Sequence, residues 1–328
     1  SGIIAEAKAV RDSVGMFDVS HMARLWFRGQ RAEEYMDWLT ANDVLALTDG
    51  QGQYSMLPNE RGGCVDDIIL YRVSSDVFRM VVNAANHAKD VAWIESQNRF
   101  GVVMEDETPT TAMIAVQGPK AAESLARISD IPDQLLSAKL FQLNEGTIGG
   151  VKCFAPCSGY TGEHGFELIC AAHDAERLWD ALIDAEVVPC GLGSRDTLRV
   201  EAGLPLYGHE LGDDINPISA GLGWAIKKDR PFIGSEHIEA ARLNGTEQKL
   251  QGIRLDAKRL TQPGMKISVD GREVGEVSSG VVSPTLDCGL AMGFVDSSIK
   301  LNTPCTVEIR GKGEPAMIVS KRFLKSKA

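Results

Sequence analysis

The pattern of apolar and polar residues changes at Asn244-Gly245-Thr246. Before this tripeptide, helical periodicity and strand patterns are mixed, without the regular strand–helix–strand rhythm that builds a parallel sheet. From Leu250 onward, short strand patterns and turns follow one another with almost no helical pattern. The change predicts an α+β fold with antiparallel sheets in residues 1–243, and a C-terminal all-β barrel-like domain in residues 244–328.

Turn-forming residues support this division. Asp270-Gly271 lies between two strand patterns and predicts a β-hairpin, because this pair adopts the positive φ angles of a type I′ turn. Ser74-Ser75-Asp76 predicts a hairpin in the first region. Helices are predicted at residues 4–14, 31–39, 86–97, 120–128, 175–185 and 194–202. Strands of the first region are predicted at 25–28, 53–57, 65–73, 77–83, 111–116, 151–155 and 165–170.

Composition excludes several classes of function. The net charge of -11 argues against general nucleic-acid binding, which usually needs a basic face. No apolar run approaches the ~18 residues of a membrane-spanning helix. The seven cysteines are scattered and odd in number, which favours free thiols in a reducing compartment. A zinc site could be imagined among Cys153, Cys157, His164 and Cys170, but their spacing fits no common zinc motif, so we predict no metal.

Two adjacent aspartates lie near the start of an apolar strand pattern, at Asp66 and Asp67. Side chains alternate along a strand, so the two carboxylates face opposite sides, and both sides are otherwise apolar. A carboxylate in such a place costs several kcal/mol unless it is paired or hydrogen-bonded. One structural explanation is an aspartate that accepts N–H bonds from the Gly62-Gly63 turn. We expect one structural and one functional aspartate.

Two further segments carry charges in unusual places. Residues 159–167 form a glycine-rich loop that leads into a strand, where Glu167 lies within an apolar run and needs a partner. Residues 191–199 predict a loop that enters a helix with Ser194 as its N-cap. Arg195 would then lie at the positive end of the helix dipole, so it needs an anionic partner, and Glu167 is a candidate for a structural salt bridge.

Several short motifs occur in a specific order, and together they resemble the glycine cleavage system T-protein (aminomethyltransferase) family. The resemblance covers essentially the whole chain. It differs from the family pattern at 320–324, which lacks the expected proline and tyrosine, and before the first helix, where the family has a further segment. The motifs lie at residues 15–22, Tyr54, 62–67, 81–83, 117–119, 159–167, 195–204, 206–208, 279–280, 283–286 and 291–293.

The resemblance implies three domains in a cloverleaf around a central folate site. Two of them would intertwine within residues 1–243, one formed by 1–50 with 115–243 and the other by 51–114. The implied reaction transfers the aminomethyl carbon from the lipoyl arm of H-protein to the co-substrate tetrahydrofolate. Its products are 5,10-methylenetetrahydrofolate and ammonia. The implied location is the cytoplasm, or the mitochondrial matrix in a eukaryote.

The resemblance also implies roles for individual residues. Asp67 matches the catalytic aspartate near the folate N5, Glu167 the acidic residue that binds the pterin ring, and Arg195 the arginine beside the folate. The other implied folate-binding residues are Tyr54, Asn83 and Tyr160. Lys227, Lys228 and Arg230 are candidate cations for docking H-protein, although a plain solvated turn explains them somewhat better.

Two alternatives share this fold. One is another folate-dependent enzyme, such as a demethylase of a small methylated substrate or a methylene transferase, which Asp67 would not distinguish. The other is a non-catalytic folate-binding factor for iron–sulfur assembly, which carries a Lys-Gly-Cys motif. The matching stretch here, residues 228–234, contains no cysteine, which disfavours that second alternative.

Overall fold

The structure, a computed structural model, describes residues 2–324. The helices of this range are α1 (Ile3–Asp12), α2 (Ala32–Leu39), α3 (His87–Gln97), α4 (Ala121–Ala126), α5 (Pro132–Ser137), α6 (Ala175–Asp184), α7 (Leu192–Ala202) and α8 (Ser235–Asn244). The strands are β1 (Gly15–Asp18), β2 (Ala23–Arg28), β3 (Gln51–Pro58), β4 (Cys64–Ser74), β5 (Val77–Val82), β6 (Val103–Asp106), β7 (Thr111–Gln117), β8 (Glu145–Ile148), β9 (Val151–Phe154), β10 (Gly165–Ala171), β11 (Val188–Pro189), β12 (Gln248–Leu255), β13 (Lys266–Val269), β14 (Arg272–Ser283), β15 (Cys288–Asp296), β16 (Thr303–Ile309) and β17 (Lys312–Val319).

Two separate sheets form the α+β region. The first has the strand order β11-β1-β7-β10-β9-β8, and only the β1–β11 pair in it is parallel. The second has the order β3-β4-β5-β2-β6 and is antiparallel throughout. The predicted hairpin at residues 74–76 joins β4 to β5 in this second sheet. The antiparallel α+β prediction is therefore confirmed.

The boundary predicted at residue 50 does not follow these sheets. Strand β2, which the prediction placed in the first unit, pairs with β5 and β6 of the second sheet. Helix α2 also packs there, with Tyr35 and Leu39 in the same core as Phe78 of β5. The chain thus leaves the first sheet directly after β1 and returns to it at β7. A sequence pattern identifies a strand but does not show which sheet it joins.

The six C-terminal strands close into a barrel with the order β12-β15-β14-β13-β16-β17. The hairpin between β13 and β14 contains Asp270 and Gly271 with φ angles of 50° and 78°, as its type I′ signature predicts. Ile253, Val277 and Val307 lie in the apolar core of the barrel. The predicted all-β C-terminal domain is confirmed.

The two sheets share one apolar core. Phe17 of β1 and Met113 of β7 pack with Tyr71 of β4 and Val81 of β5 in that core. Separate apolar clusters cover the other faces, with α4, α5 and α6 on the first sheet and α2 and α3 on the second. A cavity adjoins the shared core, because Val81 belongs to the core and also lines the cavity. Among residues 2–324, no helix is both long and apolar enough to cross a membrane.

Candidate active site

A cavity of about 720 Å³ lies between the two sheets and the segment that follows α7. Residues of both sheets line it, together with residues 204–207 and Trp224. It contains all the residues that the sequence predicted for the site, although they come from five different parts of the chain. These residues are Tyr54, Asp67, Asn83, Tyr160, Glu167 and Arg195.

Asp67 lies near the start of β4 and faces the cavity. Its Oδ2 accepts a hydrogen bond of 3.0 Å from the Tyr54 hydroxyl, and its Oδ1 accepts one of 2.9 Å from Asn83 Nδ2. Burial and then the negative charge of Asp66 raise the pKa of Asp67 to about 7, against the lowering effect of these two bonds. Asp67 therefore exchanges a proton near neutral pH, which suits an acid–base role.

Asp66 faces away from the cavity and is fully buried. The sequence offered the Gly62-Gly63 turn as its partner, but Gly63 N donates to Asn59 instead. The partners of Asp66 are the backbone N–H of Asn83 at 2.8 Å, Asn83 Nδ2 at 2.9 Å and Asn86 Nδ2 at 2.6 Å. Asp66 is thus held by hydrogen bonds behind the strand and Asp67 lies at the cavity, while the expected functional role of one of the two aspartates stays a prediction.

Glu167 lies on β10 with its carboxylate at the inner wall of the cavity. It accepts a hydrogen bond of 2.5 Å from the Ser158 hydroxyl, which in turn accepts one from the Tyr71 hydroxyl. Burial raises the pKa of Glu167, whereas the Arg195 guanidinium and the Ser158 bond lower it. Among the described residues Glu167 and Arg195 interact through charge without a direct ion pair, so the predicted salt bridge is absent.

Arg195 lies in the first turns of α7, which begins earlier than predicted. The N-cap is Gly191, not Ser194, and the Ser194 hydroxyl donates to the Gly191 carbonyl from inside the helix. The Arg195 guanidinium lies 5.0 Å from the centre of the Tyr160 ring, and its buried Nη1 has no hydrogen-bond partner in the part of the chain that the structure describes. Tyr160 is fixed because its hydroxyl donates to the Pro205 carbonyl. Arg195 thus presents an unused donor to the cavity.

Sequence reasoning missed several residues of the cavity. Trp224 is 62% exposed and stacks on Tyr54 at 5.6 Å, so it forms an aromatic wall beside Asp67. His21 also lines the cavity, and burial followed by the charge of Arg195 lowers its pKa. A tryptophan within a glycine-rich stretch, residues 221–224, is a sequence signal that could have identified Trp224.

The four residues considered for zinc do not form a metal site. Cys157 Sγ lies 3.4 Å from His164 Nε2, but residues 2–324 contain no group of three or more potential metal ligands. All seven cysteines are buried and have free thiols. Burial raises the pKa of Cys157 to about 11, so this side chain remains a thiol at neutral pH.

Comparison with known families agrees with this geometry. Residues 1–230 match the GCVT N-terminal domain, and residues 248–325 match the glycine cleavage T-protein C-terminal barrel domain. The chain belongs to the glycine cleavage T-protein family. An aminomethyltransferase of Thermus thermophilus is 42% identical over 325 residues, covering 99% of this chain and 91% of the relative. One from Halalkalibacterium halodurans is 43% identical over 333 residues, covering 99% and 90%.

A solved structure of the T-protein family also has this fold. The glycine cleavage system aminomethyltransferase T from Bartonella henselae superposes with a TM-score of 0.91 at 32% identity. The superposition covers 98% of this chain and 90% of that one. The likeness therefore includes both sheets, the segment after α7 and the barrel.

Proposed function

We propose that this chain is the aminomethyltransferase of a glycine cleavage system, with tetrahydrofolate as co-substrate and lipoylated H-protein as partner. Membership of the T-protein family and the aminomethyltransferase relatives support the proposal. The observation that carries it is Asp67, a carboxyl with a pKa near 7 in the wall of a cavity that also holds Glu167 and Arg195. We place this reaction in the cytoplasm of a bacterial cell.

The cavity has polar groups that suit a pterin. Glu167 offers carboxylate oxygens, which can accept from adjacent N–H groups of a pterin edge in pairs. Arg195 Nη1 offers a buried donor that finds no acceptor among residues 2–324. The stacked pair of Tyr54 and Trp224 offers an aromatic surface. In this proposal Tyr54, Asn83, Tyr160, Glu167 and Arg195 bind the folate.

Asp67 performs the proton transfers in this proposal. Tetrahydrofolate supplies the amine that takes up the one-carbon unit, and the carbon leaves a sulfur of the lipoyl arm with release of ammonia. Tyr54 and Asn83 fix both oxygens of Asp67, so the carboxyl meets the reactants in one orientation. Its pKa near 7 lets it accept a proton from one group and return it to another without a large energetic penalty.

Two of the three candidate docking cations for H-protein are already engaged within this chain. Of the three candidate cations, Lys227 already pairs with Asp43, and Arg230 with Asp37. Arg230 also donates to the carbonyls of Thr40 and Asn42, which makes it a structural residue. A positive docking patch would therefore depend on other residues than these two.

Turnover with a loaded partner tests the proposal. We expect the protein to convert aminomethyl-lipoyl H-protein and tetrahydrofolate into methylenetetrahydrofolate and ammonia in equal amounts. Each product is measured separately. Methylated small amines serve as competing donors in parallel assays with the same folate. Faster turnover of a methylated amine than of loaded H-protein would support the demethylase alternative instead.

A further inference from the structure

A second buried aspartate contacts Asp66 behind the active site. Asp90 lies on α3, and both Asp66 and Asp90 have no exposed surface. Asn86, one helical turn before Asp90, donates to Asp66 Oδ1 at 2.6 Å, which places Asp90 on the helix face beside Asp66, where the two carboxyl groups interact through charge. Within residues 2–324, no amide, hydroxyl or cationic group donates to either oxygen of Asp90. Two ionised carboxylates in such a contact repel each other strongly, so the pair is stable when it holds one proton.

The hydrogen bonds decide which aspartate holds this proton. Asp66 accepts three N–H bonds, two from Asn83 and one from Asn86, and such bonds favour the ionised form. Asp90 accepts none, so its neutral form is favoured. Burial and the charge of Asp66 raise the pKa of Asp90 to about 10, which agrees with this assignment. The protonated Asp90 is then the donor, and the ionised Asp66 the acceptor.

The ionised Asp66 fixes the side-chain amide of Asn83. A carboxylate only accepts hydrogen bonds, so the NH₂ end of Asn83 must face it. The same Nδ2 atom donates to Asp67 Oδ1 at 2.9 Å. A neutral Asp66 could donate to the amide oxygen, and the reversed amide would then place its oxygen against Asp67. A chain of contacts thus runs from Asp90 through Asp66 and Asn83 to Asp67.

We propose that Asp90 is a positioning residue for the transfer reaction, acting as the proton-carrying partner that keeps Asp66 ionised and thereby keeps the Asn83 amide on Asp67. This inference rests on the proposed function, because it takes Asp67 as the catalytic carboxyl. It adds a residue outside the cavity, on a helix that none of the sequence motifs includes.

The other titratable groups around the pair do not supply the positive charge that would let both carboxylates stay ionised. Cys64 and Asp67 on β4 interact with the pair through charge, and neither is a cation. Lys89 precedes Asp90 on α3, but its amine bonds the Tyr207 hydroxyl and lies 3.5 Å from Asp213 Oδ2. Lys89 is therefore already engaged with the segment that follows α7.

Infrared spectroscopy tests the proton directly. Protein with ¹³C-labelled aspartate carboxyls is measured at about pH 8.5, between the pKa values near 7 of Asp67 and near 10 of Asp90. We expect one band from a protonated aspartate in the wild type, and no such band in Asp90→Asn. Absence of the band in the wild type would overturn the proposal, and this measurement does not depend on any activity.

Kinetics of two variants test the positioning role. Asn at position 90 can donate to Asp66 as the protonated carboxyl does, so Asp90→Asn should keep the acid limb of the kcat/KM pH profile in place. If Asp90 were ionised, that change would remove a negative charge near Asp67 and move the limb to lower pH. Asp90→Leu has a similar volume but no donor, and should lower kcat about tenfold with folate affinity changed less than about twofold. Asp90→Ala repeats this test if the leucine variant does not fold.

Asp184→Asn and Asp184→Leu are matched controls at an exposed position on α6. Full kcat in folded Asp90→Leu or Asp90→Ala would overturn the positioning role, as would a shifted acid limb in Asp90→Asn. If the wild type itself fails to turn over loaded H-protein, the proposed function fails instead, and the infrared result still reports on the shared proton.

Discussion

At the scale of single residues, Asp67 shows a conflict between stability and activity. Burial raises its pKa to about 7, whereas an unfolded chain would have the value near 3.8. The native protein therefore binds more protons than the unfolded chain between these values, and its stability falls as pH rises through this window. Above about pH 7 the ionised Asp67 is a destabilising group that the proposed reaction needs.

Replacing Asp67 with Asn should separate the two effects. We expect Asp67→Asn to lose at least ~10²-fold in kcat, because the proton acceptor is gone. At pH 8 the same variant should be more stable than the wild type by about 1–3 kcal/mol, and the difference should vanish toward pH 4. Urea unfolding across this pH range measures it. Normal turnover by Asp67→Asn would remove Asp67 from the mechanism.

Glu167 and Arg195 should act on folate binding together. Each senses the charge of the other in the cavity wall, although they share no direct ion pair. We expect Glu167→Gln and Arg195→Met each to weaken folate binding by about tenfold, since each change leaves a ligand group without its partner. In the double variant the losses should be less than additive. Fluorescence titration with folate measures this, and unchanged affinity in both single variants would exclude the two residues from the site.

At the scale of elements, periodicity predicted the segments with a strong pattern and missed several whose pattern is weak. Strand β4 and helix α3 appear within two residues of their predicted limits. Strand β1 has only four residues and is held by β7 and β11, so its own sequence carries little signal. Helix α8 buries only Ile238, which explains its weak pattern. The motifs also identified six cavity residues, whereas the Asp66–Asp90 contact depends on how α3 packs and has no signal in the sequence.

The turn before β4 sets the positions of Asp66 and Asp67, and this turn requires glycine at position 63. A Cβ on Gly63 would lie 1.8 Å from the carbonyl oxygen of Asp213, so the two backbones could not approach. We expect Gly63→Ala to destabilise the protein by about 2–3 kcal/mol and to lower kcat, because β4 shifts with the turn. Gly212→Ala is the control, since its Cβ would meet only Ile215 at 3.8 Å. Equal unfolding midpoints for the two variants would contradict this explanation.

At the scale of the whole molecule, one buried cation joins the parts that surround the cavity. Arg11 of α1 donates to Glu201 of α7 at 3.0 Å and to the carbonyl of Thr161 in the glycine-rich loop at 2.6 Å. Glu201 in turn accepts from Ser283 and Thr285 of the barrel region. One hydrogen-bond network therefore connects the loop that lines the cavity, the helix that carries Arg195 and the barrel.

Removing this cation should therefore affect both stability and folate binding. Arg11→Met leaves Glu201 buried without its cation, which should cost about 3–5 kcal/mol in the free energy of unfolding. Changing Glu201 to Met as well should restore only part of that loss, because the charge of Glu201 is removed while Glu163, which also pairs with Arg11 at 3.1 Å, keeps its charge. Arg31→Met is the control, since the Arg31–Glu34 pair is exposed to solvent and should contribute little to stability.

Folate kinetics complete this test. Without the Arg11 bond to the Thr161 carbonyl, the glycine-rich loop has a weaker attachment, so KM for folate should rise several-fold while kcat changes less. The double variant should keep this higher KM even where its stability recovers, because Met cannot replace the bond. If the urea unfolding midpoint of Arg11→Met is not lower than that of Arg31→Met, the network does not hold these parts together.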